Sequence, residues 1–536
     1  MNALVVGAVA ILLLVLGYVF YGSFIERILG IDKERETPAY RLMDGRDYIP
    51  AKNWLILFGH HFSSIAGAGP ILGPVIACVL WGWLPAIIWI VLGGIFLGGV
   101  HDFLSLFISV REDGKSVADI SKKVVSNRVK FLYASFVWLA LVLVIAVFAS
   151  AAAKTLTEAP EVVIPALGLI PIAILFGFMI YKWKIPMGFA TVIALLLLAI
   201  FIVLGYKFPI KASFKFWLYL LLIYAFIASI TPVNILLQPR DYLSAYILFA
   251  GLFIGWIGLF LTHPHINAPS FVSFKSVKGS LWPMMFVIIA CGAISGFHSL
   301  VASGTTSKQL PNEKYAKRIG YGGMLMESAL AVMALLAVSA GLLWKGPNLN
   351  FVYPYLMKTK GWIYTFGAGY MRITKPLLGS IGLIAGVTML NAFILTTLDS
   401  ATRIARYIGV ELFGEGFGIP IFRNIYFNTL VIILIALLLS LGAWKSIWPV
   451  FGASNQLIAS LSLFIGSLWL MNKGKKYKIA LIPGYFMFIT TLGALIYQAF
   501  LFFHQRNYLL EIVSLILIIL AIFLIFEMIK SQQRRE

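Results

Sequence analysis

Long apolar runs separated by short polar connections set the pattern of this chain. Fifteen runs stand out, at about 2–24, 54–82, 85–110, 131–153, 162–181, 187–205, 216–237, 242–262, 281–303, 321–343, 377–399, 425–442, 447–471, 479–503 and 508–529. Most hold about 20 residues, enough for a helix to cross a ~30 Å hydrocarbon layer. In lipid only a structure that bonds its own backbone internally can span, so runs of this length predict helices. The expectation is an all-α integral membrane protein of about fifteen transmembrane helices in one polytopic domain, residues 1–536. The predicted division is an extra N-terminal helix and loop to residue 53, a core from about 54 to 400, and additional helices from about 425. The longest connections, 25–53 and 344–376, are short for a folded unit.

Two runs carry residues that helices in lipid avoid. The second contains Ser63, Ser64, Ile65, Ala66, Gly67, Ala68, Gly69, Pro70, Ile71, Leu72, Gly73 and Pro74. Proline removes backbone donors and glycine permits irregular turns. At about 29 residues this span is also too long for a straight crossing. A helix interrupted near 66–74 fits both facts, and the exposed backbone at such a break can bind ions or carboxylates. The plainer alternative is a proline kink with glycines for close packing. For a partner break the spacing favours the seventh span, at Ser229 to Asn234, five spans on and oppositely oriented. The ninth span, Cys291 to Ser307, competes for that role and supplies small polar ligands such as Ser295.

Composition agrees with a membrane setting: 61% of residues are hydrophobic and 12% charged, against about 25% charged in an ordinary soluble domain. The net charge of +21 comes from 42 Lys and Arg against 21 Asp and Glu. Connections after odd-numbered spans hold 29 of the basic residues and those after even-numbered spans 13. By the positive-inside rule this puts the N-terminus outside and the tail, Lys530 to Glu536, in the cytoplasm. It also accounts for the charge without nucleic acid. The connection 344–376 disagrees, with five basic residues on the predicted outside. No cleavable signal peptide is expected, because the first run is too long and lacks a basic flank. Cys78 and Cys291 sit in apolar runs and read as small packing residues.

Titratable groups inside spans are costly and mark function by default. Here they are His60, His61, His101, Asp102, His298, Glu327 and Asp399. His60 and His101 fall at similar depth on consecutive antiparallel helices, roughly 9 and 13 Å from the cytoplasmic ends. Histidine exchanges a proton near physiological pH, so His61, His101 and Asp102 are candidates for coupling or gating, with the more isolated Glu327 beside them. Bonding to loop backbone is the alternative. Asp399, just before Arg403 and Arg406, reads as an interfacial ion pair. In the thirteenth span the stretch Trp448, Pro449, Val450, Phe451, Gly452, Ala453, Ser454, Asn455, Gln456 places two amides in an apolar helix, where they need partners.

These stretches also carry a resemblance. Gly59 to Pro70, His101-Asp102-Phe103, Arg111 to Asp119, Leu237 to Tyr242, Ala290 to Gln309, Thr396 to Asp399 and Trp448 to Gln456 resemble the CstA carbon starvation family, in its order and over nearly the whole length. The resemblance implies an inner-membrane uptake system of the carbon starvation response, with peptides or, by proton symport, pyruvate as substrates. It also implies a LeuT-like, five-plus-five inverted repeat of the APC superfamily, with discontinuous helices plus extra ones.

The combined expectation is alternating access around the break. Ser63, Ser64, Gly67, Gly69, Thr231, Asn234 and Ser295 lie near substrate, and His61, His101, Asp102 and Glu327 couple or gate. The coupling ion is a proton, with sodium the alternative. No metal site and no cofactor are expected. The partners are a small-molecule substrate and the lipid bilayer. An enzyme would need a nucleophile or metal constellation, a sensor a soluble signalling domain, and a channel a repeated filter; none of these patterns stands out.

Overall fold

The computed structural model describes the backbone of residues 1–442 and 444–533, and their side chains except at 442–451, 509 and 532. Trp448, Pro449, Val450 and Phe451, and the end of the tail at 534–536, therefore lie outside the described side chains.

The chain is mostly helical. In order the elements are α1 (Ala3–Leu29), α2a (Trp54–Ile65), α2b (Gly69–Trp81), α3 (Trp83–Arg111), α4 (Asn127–Glu158), α5 (Pro160–Lys182), α6 (Met187–Lys207), α7 (Phe214–Ile230) and α8 (Leu237–Thr262). Then come α9a (281–288), α9b (Gly296–Gly304), α10 (Glu313–Gly341), α11 (Tyr353–Thr359), α12 (Gly361–Leu378) and α13 (Ile381–Gly416). The series ends with α14 (Ile425–Gly442), α15 (Trp444–Asn472), α16 (Lys478–His504) and α17 (Tyr508–Gln533). Among the described residues eleven helices are long and apolar enough to cross a membrane, or twelve with α2a and α2b counted as one bent span. Helices α7 and α14 are apolar but shorter.

Burial sorts these helices. Residues of α10 and of Gly452–Asn472 in α15 are about nine-tenths buried over their apolar windows, 89% and 94%, against 28% for α1 and 22% for α6. The first pair forms the centre and the second the lipid-facing periphery. Helices α4 and α13, the two longest, run against each other through the centre.

The structure departs from the sequence-based expectation at three places. The connection 344–376 contains α11 and most of α12. Helix α12 intersperses Thr and Gly among its apolar residues and carries Arg372, Lys375 and Pro376 towards its end, so no long apolar run announces it; Gly369 lets it cross α10 at backbone contact with Ala337. The seventh span does not break internally. Helix α7 stops at Ile230, and Thr231 to Leu236 form the turn into α8. The ninth span is the second one interrupted: between α9a and α9b, residues 289–295 are not helical.

Candidate functional site

The two interrupted helices cross antiparallel. On the α2b side Gly69 leaves room for the Cys291 side chain, and a Cβ at Gly73 would collide with the backbone of Ile288 and Ile289. At the other end His60 and His61 of α2a meet Thr305 and Thr306, just beyond α9b. Contacts thus run 60 with 305, 69 with 291 and 73 with 288, so the two breaks lie side by side. The α2 break follows from its residues: Ala66, Gly67 and Ala68 intervene, and Pro70 opens α2b at a position that needs no amide hydrogen.

Neighbouring helices satisfy the freed backbone groups. Thr396 and Thr397 of α13 donate to the carbonyls of Ser63 (2.5 Å) and Ser64 (3.2 Å). At the second break Trp89 of α3 donates to the Ile289 carbonyl at 3.0 Å, Ser328 of α10 to Gly292 at 3.0 Å, and Gln456 of α15 to Ile294 at 2.9 Å. Asn455 caps α9b from a different helix. Its Oδ1 accepts from the Phe297 amide at 2.8 Å, and its Nδ2 donates to the Ser295 hydroxyl at 2.9 Å. The two amides of the thirteenth span therefore bond across helices to the break.

Two buried charged clusters flank the crossing. In the first, Asp102 holds two histidines: His101 Nδ1 lies 2.7 Å from Oδ1, and His298 Nδ1 lies 2.8 Å from Oδ2. His298 Nε2 faces a carboxylate oxygen of Glu327 at 3.1 Å. The chain His101–Asp102–His298–Glu327 thus joins α3, α9b and α10. Apart from the His298 contact the buried Glu327 oxygens have no hydrogen-bond partner among the described residues, and neither do the Nε2 atoms of His101 and His61. Cys291, His298 and Glu327 present donor atoms within 4.8 Å of one another, a set able to hold a cation, where the sequence suggested no metal site. The Cys291 thiol donates to the Ser295 hydroxyl at 3.6 Å.

The second cluster was mostly missed. His60 Nδ1 lies 2.6 Å from Asp241 Oδ2, and His60 Nε2 lies 2.9 Å from the Thr305 hydroxyl. Asp241 pairs with Arg240, which also pairs with Asp399; Tyr224 donates to Asp399 at 2.7 Å. Asp399 therefore does not pair with Arg403 and Arg406, as its place in the sequence suggested. Both arginines reach Asp47 in the connection after α1, at 2.5 Å from Arg403 and 2.9 Å from Arg406. Burial raises the Asp47 carboxyl, but Arg406 and Arg403 outweigh it and hold the group down at about 2. The signal for this pairing was present in the five acidic residues of 31–50, but nothing in spacing matches one of them to an arginine 350 positions on.

The expected substrate residues divide. Ser63 donates to the Asp241 carbonyl at 2.9 Å, and Ser64 shares a 2.8 Å hydrogen bond with Ser400. Gly67 lies in the break, facing Phe148 and Thr397. Gly69 opens α2b, and Ser295 precedes α9b. Thr231 and Asn234 instead occupy the turn between α7 and α8, where the Thr231 carbonyl accepts from Arg403. That is the consequence of α7 ending rather than breaking. His60 and His101, placed at similar depth from sequence, belong to separate clusters.

Comparison with known proteins decides the family. The family model described as carbon starvation protein CstA matches residues 2–346 and 354–494. The chain belongs to this family. It is similar to the peptide transporter CstA of Campylobacter jejuni, with 33% identity over 91% of this chain and 79% of the relative. With the pyruvate/proton symporter BtsT of Escherichia coli it shares 31% identity over 92% of this chain and 81% of the relative. A crystal structure of a mutant manganese transporter of Eremococcus coleocola superposes with a TM-score of 0.55 at 15% identity, covering 92% of this chain and 99% of that one. At that identity the likeness concerns the fold. As a member of the CstA family the chain is a multi-pass membrane transporter and not an enzyme.

Proposed function

We propose that this protein is a secondary active importer of a small organic nutrient across the cytoplasmic (inner) membrane in carbon starvation, working by alternating access at the paired breaks. The observation that carries this reading is the antiparallel crossing of α2 and α9 with their breaks adjacent. A pair of half-helices can rock about such a crossing without tearing a continuous hydrogen-bond ladder, and half-helix N-termini offer partial positive charge to a carboxylate.

Element lengths support a LeuT-like five-plus-five inverted repeat. Helices α2, α3, α4, α7 and α8 run as broken, long, longest, short and long; α9, α10, α13, α14 and α15 run the same way. Asp241 of α8 holds α2a, and Asn455 of α15 holds α9b, in corresponding roles. On this reading the hairpin α5–α6 and the pair α11–α12 are insertions, α1, α16 and α17 are additions, and the core extends to residue 472. The N-terminus faces outside and the C-terminus the cytoplasm.

The leading substrates are pyruvate or a related carboxylate, and short peptides; the named relatives carry one or the other. Ser63, Ser64, Gly67, Gly69 and Ser295 border the solute. Inward proton flow drives uptake through His61, His101, Asp102 and Glu327, with His298 linking the last two. Purified protein in liposomes, offered labelled pyruvate and labelled dipeptides, should take up one class faster when the outside is acid. Uptake that responds to sodium and ignores pH would overturn the proton assignment; absence of counterflow would overturn alternating access.

A further inference from the structure

A basic cleft and an apolar groove meet at the end of α1. The cleft, of about 910 Å3, lies where the end of α1 approaches the start of α10. Arg27, Lys33, Lys314, Lys317 and Arg318 line it against one acid, Glu26. Glu26 is already engaged by Lys317 at 2.6 Å. Lys314 and Arg318 lie over the Tyr315 ring, and Arg318 also over Trp54, with Arg27, Lys314 and Arg318 exposed. The groove, of about 720 Å3, runs from the cleft along the lipid-facing side between α1, α2a, α8 and α10. It is floored by aliphatic and aromatic side chains such as Leu14, Phe58, Phe253 and Trp256. Tyr18 and Arg318 line both spaces, so they are continuous.

We propose that this pair of spaces is a binding site for one anionic phospholipid, with its phosphate in the basic cleft and an acyl chain in the groove. The charge excess calls for an anion, and a basic recess at the end of membrane helices suits a lipid headgroup. The continuous groove calls for an anion with a long apolar tail, which free phosphate lacks. A zwitterionic lipid fills the groove but leaves the cation excess uncompensated. Trp54, Leu55 and Phe58 belong to α2a, so the lipid rests on the first half of the first broken helix. Its binding is independent of which nutrient is carried.

The test is a titration of the purified full-length protein in detergent by native mass spectrometry. The probes are dioleoyl phosphatidylglycerol, dioleoyl phosphatidylcholine, dihexanoyl phosphatidylglycerol and inorganic phosphate. Dioleoyl phosphatidylglycerol is expected to bind at least about tenfold more tightly than the phosphatidylcholine. The short-chain lipid competes weakly and phosphate does not compete. The combined variant Arg27→Gln, Lys314→Gln, Arg318→Gln brings the two long-chain lipids to equal affinity; if it does not fold, Arg27→Gln and Lys314→Gln are measured singly and each narrows the gap. Equal binding of the two long-chain lipids by the unaltered protein, displacement by phosphate alone, or a preference unchanged in the variants would overturn the assignment.

Discussion

Asp102 engages both carboxylate oxygens with histidines from two helices, and beyond the second histidine Glu327 is buried with His298 Nε2, at 3.1 Å, as its one ion-pair partner among the described residues. A buried carboxylate in that position is expensive unless it is protonated or paired. Glu327→Gln keeps the shape and removes the titratable group. On the proton-coupled reading it should cut gradient-driven uptake by at least about tenfold while preserving counterflow, which needs no net proton movement; equal loss of both would mean a structural role. Asp47 gives a second test, of stability. Its carboxyl is held at about 2 by Arg406 and Arg403, below the unfolded value, so the unfolded chain binds more protons in between. The contribution, about 2 kcal/mol, is present above roughly pH 4 and is lost as pH falls towards 2. Asp47→Asn should lower stability at pH 7 by about 3 kcal/mol, since two buried arginines lose their partner. Its unfolding midpoint, followed by tryptophan fluorescence in detergent, should change less between pH 4 and 2 than that of the unaltered protein. At this scale sequence revealed which groups were unusual and not what they touch. Histidines and acids inside apolar runs are conspicuous. Arg240 and Asp241 are not, because Gln238-Pro239-Arg240-Asp241 reads as a polar turn, whereas in the fold Pro239 sits in the first turn of α8, where a helix tolerates it.

The break in α2 was legible because proline and glycine crowd into twelve residues. Its partner was harder. Both the seventh and ninth spans hold small polar residues, and counting five spans forward selected the wrong one of the two. If the hairpin α5–α6 is an insertion, the count fails for a physical reason: a hairpin adds two crossings and restores the direction of the chain, so it leaves the sidedness pattern untouched. Helix α12 stayed hidden because its burial comes from glycine-mediated contact and not from a continuous apolar run. The element scale also makes Asn455 a testable cap. Asn455→Ala removes the acceptor of the Phe297 amide and should cost about 1 kcal/mol in unfolding experiments. Gly69→Val, by contrast, should abolish transport at normal membrane expression, because the side chain would meet Cys291 where the two breaks cross.

Across the whole molecule, hydropathy carried the architecture and the family resemblance carried the chemistry. The sidedness rests on basic residues alone and can be checked directly. Val277, on the exposed hairpin between α8 and α9a, and Lys122, between α3 and α4, are both solvent-accessible and fall on opposite faces of the predicted topology. In intact cells a membrane-impermeant maleimide should label Val277→Cys and spare Lys122→Cys; the reverse result would invert the orientation. The native Cys78 is buried and Cys291 lies at the helix crossing, so neither should contribute strongly.

The carbonyls freed at the two interruptions are already occupied, by Thr396, Thr397, Trp89, Ser328 and Gln456. On the proposed reading, a peptide whose ammonium or amide groups reach for those oxygens enters by substitution, each new contact replacing a side-chain donor, whereas a carboxylate, itself an acceptor, would instead take up the donors. Selectivity would then belong partly to the residents being evicted: on this reading a cargo is accepted when it satisfies both the groups it takes and those it displaces.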